Sequence, residues 1–234
     1  MNILPKIAVP SYTIQVPSTK KTVKFRPYLV KEEKILMIAI ETEDQAQIQN
    51  ALIEIIKECF DDIEDPNQLT IYDMEYLFVK LRAKSVGESV EITRGCDHCE
   101  GSQDVALNLD NITIENNENV DLRVVLQNDF IIDMRYPVVG DNISDMDPED
   151  PDTLLLTVGK CINKIFYGED TFGVNGISDE ELLEFIGNLS TTQFAKLVVI
   201  LLDAPKVSLT HDYKCMHCEK ENNLYYTGLL NFFT

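Results

Sequence analysis

The chain has 234 residues, and its 44% hydrophobic content is typical of a folded globular protein and not of a disordered one. Its 40 acidic and 20 basic residues give a formal net charge of −20, which disfavours binding to the phosphate backbone of nucleic acids. No apolar run approaches the length needed to cross a bilayer, so the sequence predicts no membrane span.

The charge is unevenly distributed along the chain. The first 31 residues hold six of the basic residues and none of the acidic ones, so the remaining residues, 14 basic and 40 acidic, carry a net charge of −26. This basic arm either neutralises the protein's own acidic surface or docks to an acidic partner.

The N-terminal third begins with a predicted hairpin. Residues 10–17 and 21–26 alternate between apolar and polar side chains around a short turn, which is typical of a β-hairpin. Three helices are predicted next. The first covers residues 31–41, the second carries an apolar stripe from Ile48 to Cys59, and the third is capped by Thr70 or Asp73.

A short cysteine motif follows this helical region. Cys96 and Cys99 form a C-x-x-C knuckle between the predicted strands 89–93 and 104–109. The strands 120–126 and 129–135 come next, joined by a short turn. The acidic segment 140–152 lacks the ligand spacing of an EF-hand, so a solvated loop is favoured over a calcium site.

A second helical region precedes the second cysteine motif. Leu155, Val158, Ile162 and Phe166 have the spacing of one helical stripe. Two further helices are expected because Ser178-x-x-Glu181 and Ser190-x-x-Gln193 are capping boxes. Cys59 and Cys161 lie beside apolar neighbours and are interpreted as small buried hydrophobes.

The second knuckle repeats the pattern of the first. Cys215 and Cys218 lie between the predicted strands 206–213 and 223–227. The chain ends in an apolar and aromatic run that includes Phe232 and Phe233. This run either folds onto the core or fills a groove in a partner, since aromatic residues are favoured interface anchors.

Two C-x-x-C pairs supply the ligand set of a closed tetrahedral zinc site, so Cys96, Cys99, Cys215 and Cys218 are predicted to bind one structural Zn²⁺. A thioredoxin-like redox pair is disfavoured because such a pair lies between a strand and a helix. Disulfides are rejected because they need an oxidising compartment, and the N-terminal residues MNILPKIAVPS lack the charged region and long apolar run of a signal peptide. A catalytic zinc would need an open coordination position.

His98 and His217 occupy equivalent positions in the two knuckles. Either imidazole could replace a cysteine as a ligand, but exposure or contact with the ligands is the more common arrangement. The sequence leaves their part in metal binding open.

The predicted fold class is α+β: two helical lobes joined by a zinc-ribbon-like pair of β-hairpins, with an N-terminal β-hairpin. Within a single compact unit of residues 1–234, the predicted segments are an N-terminal hairpin arm (1–30), a helical lobe (31–87), the first half of the zinc ribbon (88–110), a β-hairpin with the acidic loop (111–150), a second helical lobe (151–205), and the second half of the ribbon with the aromatic C-terminus (206–234).

No catalytic motif is found. His211 is the one histidine outside the knuckles, and the chain contains no nucleophile elbow, phosphate loop or dinucleotide fingerprint. We therefore expect no enzyme, no catalytic residue and no small-molecule substrate, and interpret the chain as an interaction protein.

The run from Thr22 to Leu36, TVKFRPYLVKEEKIL, resembles the opening of a T-even-like bacteriophage baseplate protein family. The order of hairpin, helices and two C-x-x-C pairs is similar to that family across nearly the whole chain. The resemblance implies a baseplate hub subunit or a hub assembly factor (a chaperone) that binds other phage hub and tail proteins. It also implies work in the host bacterial cytoplasm during assembly, with retention in the virion baseplate left open.

The alternative is a zinc-ribbon nucleic-acid or transcription regulatory protein. A basic face on the ribbon would support it, but the predicted hairpins carry more acidic than basic side chains. The sequence therefore predicts no nucleic-acid partner.

Overall fold

The computed structural model describes residues 7–115, 120–127, 129–143, 150–174 and 176–228. Helices and small antiparallel sheets alternate along the chain, which confirms the α+β prediction. They form two units: unit 1 contains Met1–Glu115 and Lys206–Thr234, and unit 2 contains Asn116–Pro205. Unit 2 is thus inserted into the sequence of unit 1. None of the described helices is both long and apolar enough to cross a membrane.

Unit 1 combines helices with three small sheets, in which β1 pairs with β2, β3 with β4, and β10 with both β5 and β11. Its elements are β1 (Tyr12–Gln15), β2 (Thr22–Phe25), α1 (Val30–Glu41), α2 (Gln45–Cys59), α3 (Ile71–Ser85), β3 (Ser89–Gly95), β4 (Ser102–Asn108), β5 (Thr113–Glu115), β10 (Lys206–Lys214) and β11 (Glu221–Thr227).

The predicted N-terminal hairpin is present and is held at its turn. The buried carboxylate of Asp73 accepts hydrogen bonds from the Ser18 backbone N–H at 2.9 Å and from the Ser18 hydroxyl at 2.5 Å. Asp73 lies in the first turn of α3, where Thr70 is the N-cap. The turn of the hairpin is therefore fixed to the start of α3.

The predicted apolar stripes form the core of this unit. On α2 the stripe from Ile48 to Cys59 is buried, and both Ile55 and Cys59 are fully inaccessible. Leu77 and Phe78 on α3 are likewise fully buried. Burial of such side chains contributes roughly 1.5–3 kcal/mol each, so packing of these stripes stabilises the helices more than their intrinsic propensity does.

Unit 2 contains one four-stranded antiparallel sheet in the order β6–β7–β8–β9, with three helices. Its elements are β6 (Arg123–Gln127), β7 (Phe130–Met134), α4 (Pro151–Lys160), β8 (Ile162–Tyr167), β9 (Asp170–Gly173), α5 (Asp179–Gly187) and α6 (Thr191–Leu202).

Two predicted helices of unit 2 begin at their capping boxes. The Ser178 hydroxyl accepts a hydrogen bond from the Glu181 backbone N–H, and Ser190 accepts one from Gln193. One core joins the helices to the sheet, with Ile186, Leu197 and other buried residues in contact. Both capping boxes are confirmed as helix starts.

The helical stripe predicted from Leu155 to Phe166 is wrong beyond Lys160. α4 ends there, and Ile162 and Phe166 lie on strand β8. The register of β7 against β8 shifts by one residue between Ile162 and Lys164, which is a β-bulge. Because the bulge interrupts the two-residue alternation, Ile162 and Ile165 are both buried at a spacing that is typical of a helix.

Other predictions near the ends of elements are also corrected. The strand predicted at 104–109 covers Ser102–Asn108, and a 3₁₀ turn occupies Leu109–Asn111. The strand predicted at 120–126 begins at Arg123. Residues 144–149 of the acidic segment 140–152 lie outside the described residues, as do Phe232 and Phe233, and Pro151 and Asp152 already belong to α4.

The predicted segments are distributed between the units as follows. The N-terminal arm, the first helical lobe and both cysteine knuckles lie in unit 1, whereas the second helical lobe lies in unit 2. All four candidate ligands therefore come from one unit.

Candidate metal centre

Each cysteine knuckle is the tip of a two-stranded antiparallel hairpin. β3 and β4 pair from Ser89↔Asn108 to Gly95↔Ser102, and β10 pairs with β11 up to Lys214↔Glu221. Each tip is closed by the same backbone bond, since Cys96 N–H donates to Gly101 O and Cys215 N–H to Lys220 O, both at 2.9 Å. The two tips thus have the same construction, 119 positions apart in the sequence.

The two tips bring four sulfurs together. The Sγ atoms of Cys96, Cys99, Cys215 and Cys218 all lie within 4.8 Å of one another. Across the tips, Cys96 Sγ lies 3.7 Å from Cys218 Sγ, and Cys99 Sγ lies 3.8 Å from Cys215 Sγ. All four cysteines are free. The predicted ligand set is therefore assembled at one point.

The spacing of the sulfurs is that of a metal site. Four sulfurs bound to one zinc at about 2.3 Å lie about 3.8 Å apart at the corners of a tetrahedron. The two cross-tip distances match this value, whereas the S–S bond of a disulfide is about 2.05 Å long. A cluster of four thiols is large enough for one metal ion and offers the ligand chemistry that zinc accepts, so the residues fit the ion.

Backbone N–H groups point at two of the sulfurs. His98 N–H donates to Cys96 Sγ at 3.3 Å, and His217 N–H donates to Cys215 Sγ at 3.4 Å. Hydrogen bonds of this kind favour the thiolate over the thiol because they stabilise its negative charge. The first sulfur of each knuckle therefore accepts a backbone hydrogen bond.

Two side-chain amides form hydrogen bonds between the tips. Asn222 Oδ1 accepts a hydrogen bond from the Asp97 backbone N–H at 2.9 Å. Gln103 Oε1 accepts the equivalent bond from the Met216 backbone N–H at 2.6 Å. Each amide lies just beyond one tip and binds the backbone of the other, so the pair holds the two knuckles in register.

The two knuckle histidines make a second reciprocal pair of contacts. The Nε2 atom of His98 lies 3.1 Å from Glu221 O, and Nε2 of His217 lies 3.1 Å from Ser102 O. A carbonyl oxygen can only accept, so Nε2 carries the proton in both rings. Within the described residues, the candidate metal cluster contains the four cysteines and neither histidine.

The pKa values of the thiols are split by their proximity. Burial raises the pKa of the Cys96 thiol, but the His98 N–H and the neighbouring sulfurs outweigh burial and lower that pKa to about 6. The Gly101 backbone lowers the pKa of Cys99, yet burial and the other sulfurs raise it to about 12. Without a cation, adjacent thiolates repel one another.

The remaining two cysteines are structural. Cys59 and Cys161 are completely buried, as predicted. Burial raises the pKa of Cys59 to about 11 and that of Cys161 to about 12, so both thiols stay protonated at neutral pH. Neither belongs to the candidate metal cluster found among the described residues.

The two side-chain amides that join the tips were not predicted from the sequence. Gln103 and Asn222 each lie seven positions after the first cysteine of their knuckle. This shared offset was visible in the sequence. The role of the two amides could not be predicted, because each one binds the backbone of the opposite hairpin. The contact between the hairpins depends on residues that are distant in the chain.

One comparison with known proteins finds a match. A family model described as T4 bacteriophage base plate protein matches residues 9–234, which includes both knuckles and nearly the whole chain. No curated protein and no solved structure matches the chain.

Proposed function

Because the chain belongs to the T4 bacteriophage base plate protein family, we propose that it is a non-enzymatic baseplate hub subunit or hub assembly factor that binds other phage tail proteins. The observation that carries this proposal is the family match over residues 9–234. It is supported by the absence of any recognised catalytic motif in the sequence. The protein acts in the host bacterial cytoplasm during assembly and, if retained, in the virion baseplate.

A structural zinc ion is part of this proposal. Cys96, Cys99, Cys215 and Cys218 would bind it, and four thiolates leave no open position for a substrate. The ion would relieve the repulsion among the sulfurs and hold the two hairpin tips together. Metal binding of this kind contributes about 10 kcal/mol or more to folded zinc peptides at neutral pH.

The termini are the proposed handles for partners. Lys20, Lys21 and Lys24 are exposed in a region without acidic residues up to Lys31, and Phe232 and Phe233 lie next to the last residue, Thr234. Neutralising the three lysines is expected to slow association with a tail protein and weaken its salt dependence. Trimming the last three residues is expected to speed dissociation, since aromatic anchors govern dissociation rates.

Composition of phage particles tests the proposal. The chain is tagged in the phage genome, and both assembly intermediates and finished particles are purified from infected cells. A subunit is present in finished baseplates, whereas an assembly factor is present only with intermediates. If the chain copurifies with tail proteins in neither fraction, the proposed function is wrong.

A further inference from the structure

Strand β9 forms one edge of the four-stranded sheet of unit 2. Its inner side pairs with β8 along its whole length, ending with Tyr167↔Asp170. A two-residue turn that begins with Gly168, whose φ is 61°, joins the two strands. Since the residues that flank such a turn bond each other, the backbone groups of Thr171 and Gly173 face away from β8.

The outer side of β9 has no partner strand among the described residues. No described residue outside β8 forms a hydrogen bond with the backbone of Thr171 or Gly173. Unpaired strand edges accept further strands, and native proteins usually cover or blunt them. Within the part of the chain that the structure describes, this edge is therefore open to a further strand.

Two exposed aromatic side chains lie on β8 and β9. Phe172 is opposite Ile165, and Tyr167 is two positions after Ile165, so both rings are on the same face of the sheet. Phe172 is 50% exposed and Tyr167 is 62% exposed. Tyr167 packs edge-on against Phe130, with the ring centroids 5.8 Å apart. This face of the edge therefore offers two rings to a partner, one of which is held by a neighbouring ring.

Three exposed carboxylates lie around the turn next to Tyr167. Glu169 is in the turn, and Asp170 is opposite Tyr167. Asp129 O accepts a hydrogen bond from Gly168 N–H at 3.0 Å, which places Asp129 beside the same turn. None of the three carboxylates forms an ion pair with a described residue.

The basic side chains of unit 2 do not neutralise these carboxylates. Residues 116–205 contain seventeen acidic and five basic residues, a net charge of −12. Four of the basic side chains make other contacts, which are Arg123–Asp133, Arg135–Asp141, Lys160–Asp179 and Lys196–Val125 O. The fifth, Lys164, adjoins Ile165 on β8 and is therefore on the opposite face of the sheet. The negative charge at the edge is uncompensated within the described part of unit 2.

This charge decides between possible occupants of the edge. A second copy of the chain would bring another unit of net charge −12 to it, and Glu169 and Asp170 would repel an acidic segment. Asp170 and Phe172 are two positions apart on one face of β9. A strand with a basic and an apolar side chain at the same spacing complements both.

We propose that the outer edge of β9 binds an extended, basic segment of a partner protein, which adds a strand to the sheet of unit 2. A lysine or arginine of the segment lies beside Asp170, and the next residue on that face is apolar and packs on Phe172. Thr171 and Gly173 supply the backbone hydrogen bonds. This inference rests on the proposed function, since it names the chemistry by which a tail protein would be recognised.

Three synthetic peptides of about eight residues, the length of an ordinary strand, test the proposal on the full chain. The lysine peptide has threonine at alternate positions, with lysine and valine in turn between them, so that lysine and valine share a face. The glutamate peptide has glutamate in place of lysine. The shuffled peptide has the composition of the lysine peptide but places lysine and valine on opposite faces.

Binding is followed by NMR and by amide hydrogen exchange. The lysine peptide should protect the amides of Thr171 and Gly173. It should bind about fivefold or more tightly than the glutamate peptide, as an exposed ion pair predicts. The shuffled peptide should also bind more weakly than the lysine peptide, because it cannot place lysine beside Asp170 and valine on Phe172 together.

Matched variants separate edge pairing from general attraction. Thr171→Pro removes an outward N–H, which an edge strand tolerates, and should abolish binding, whereas Thr171→Val keeps that N–H and should bind like the native chain. Asp170→Asn should weaken the lysine peptide about fivefold, and Asp203→Asn, at the end of α6, should not. Thermal unfolding checks that each variant is folded. Equal binding by the proline and valine variants would overturn the proposal.

Two other occupants give distinct results. Equal or tighter binding of the glutamate peptide would show that the edge does not select a basic segment, and the proposal fails. Concentration-dependent dimerisation that Thr171→Pro abolishes would assign the edge to a second copy and also overturn it. Absence of binding by all three peptides overturns it as well. The particle-composition test of the proposed function does not depend on β9, so the two failures are distinguishable.

Discussion

The imidazole of His217 lies directly against Gly101. A Cβ placed on Gly101 would be 2.3 Å from Cδ2 of His217 and 2.7 Å from its Cγ, closer than any real contact. The same ring is held by its hydrogen bond to Ser102 O. His217, in the knuckle of the β10–β11 hairpin, can therefore occupy its position only because residue 101, in the knuckle of the β3–β4 hairpin, has no side chain.

Gly101→Ala is expected to displace His217 and loosen the contact between the tips. Overpacking of this kind costs about 1–3 kcal/mol, and it should also lower the affinity for zinc because the sulfurs separate. Thermal unfolding and a competitive zinc titration measure the two effects.

Gly95→Ala is the matched control. Gly95 lies on β3 of the same hairpin, and a Cβ there meets nothing within 4 Å. This variant should unfold and bind zinc like the native protein. Equal behaviour of the two alanine variants would show that the His217–Gly101 contact is unimportant for the site.

Metal content is the second prediction. Elemental analysis should find about one zinc per chain, as a single four-cysteine site requires. The double variant Cys96→Ser with Cys215→Ser should lose the metal. It should also become more sensitive to protease, because the two tips no longer share a metal ion. Cys161→Ala removes a buried cysteine outside the cluster and should keep full metal content. Full retention of zinc in the double serine variant would refute the site.

Features that depend on neighbouring residues were predictable from the sequence. Ser178, Ser190 and Thr70 are the N-caps of their helices. Each hydroxyl accepts a hydrogen bond from the backbone N–H three residues later, so the cap depends only on residues close in sequence. The two C-x-x-C turns likewise indicated four candidate ligands, whose Sγ atoms lie within 4.8 Å of one another in the structure. That the two turns would lie together could be inferred from coordination chemistry, since a structural zinc ion needs four ligands and each turn offers two.

Features that depend on distant partners were not predictable. β5 has three residues, and its pairing with β10 joins residues about ninety positions apart. β8 was mistaken for helix because Ile162 and Phe166 continue the spacing of Leu155 and Val158, whereas their place on a strand depends on pairing with β7. The roles of Gln103 and Asn222 depend on the docking of two hairpins, which no local pattern encodes.

The third prediction concerns Glu32, which is almost completely buried. Its carboxylate accepts hydrogen bonds from Arg26 and the Leu29 backbone N–H, each at 2.8 Å. Burial raises the pKa of Glu32, but Arg26, Leu29 and Lys31 together outweigh it and lower the pKa from 4.5 to about 2. Glu32→Gln should destabilise the protein by about 2 kcal/mol at neutral pH, because charged hydrogen bonds are lost.

The pH dependence of this effect has a definite sign. Below about pH 4.5 the unfolded chain takes up a proton at Glu32, whereas the folded chain resists protonation until about pH 2. The difference in unfolding free energy between the native protein and Glu32→Gln should therefore shrink as pH falls through this window. Denaturant titrations at several pH values measure it. Glu33→Gln, at the adjacent position in the same helix turn, is the matched control for the loss of one carboxylate.

The fourth prediction is that the protein binds no nucleic acid. Beyond residue 31 the chain carries a net charge of −26, and nucleic-acid affinity depends on neutralising phosphates. A mobility-shift assay at moderate salt should show no complex with duplex or single-stranded DNA. Salt-sensitive binding at low micromolar concentration would instead favour the zinc-ribbon regulatory protein.

The fifth prediction concerns the two positions in the sequence between which unit 2 is inserted into unit 1. Glu115, at the end of β5, lies directly opposite Lys206, at the start of β10. Residues opposite each other in an antiparallel pair can be joined by a two-residue turn, for which Asn-Gly is favoured. Replacing residues 116–205 with Asn-Gly should therefore leave the β5–β10 pair intact.

The shortened protein should fold and bind about one zinc, because all four cysteines belong to unit 1. Its zinc affinity should rise, since the segment between Cys99 and Cys215 becomes much shorter and costs less entropy to close. Circular dichroism, elemental analysis and a competitive titration against the native chain measure these outcomes. The same deletion with Cys215→Ser controls for weak metal binding by unfolded thiols. A shortened protein that aggregates or holds no more zinc than this control would show that unit 1 depends on the inserted residues for its fold.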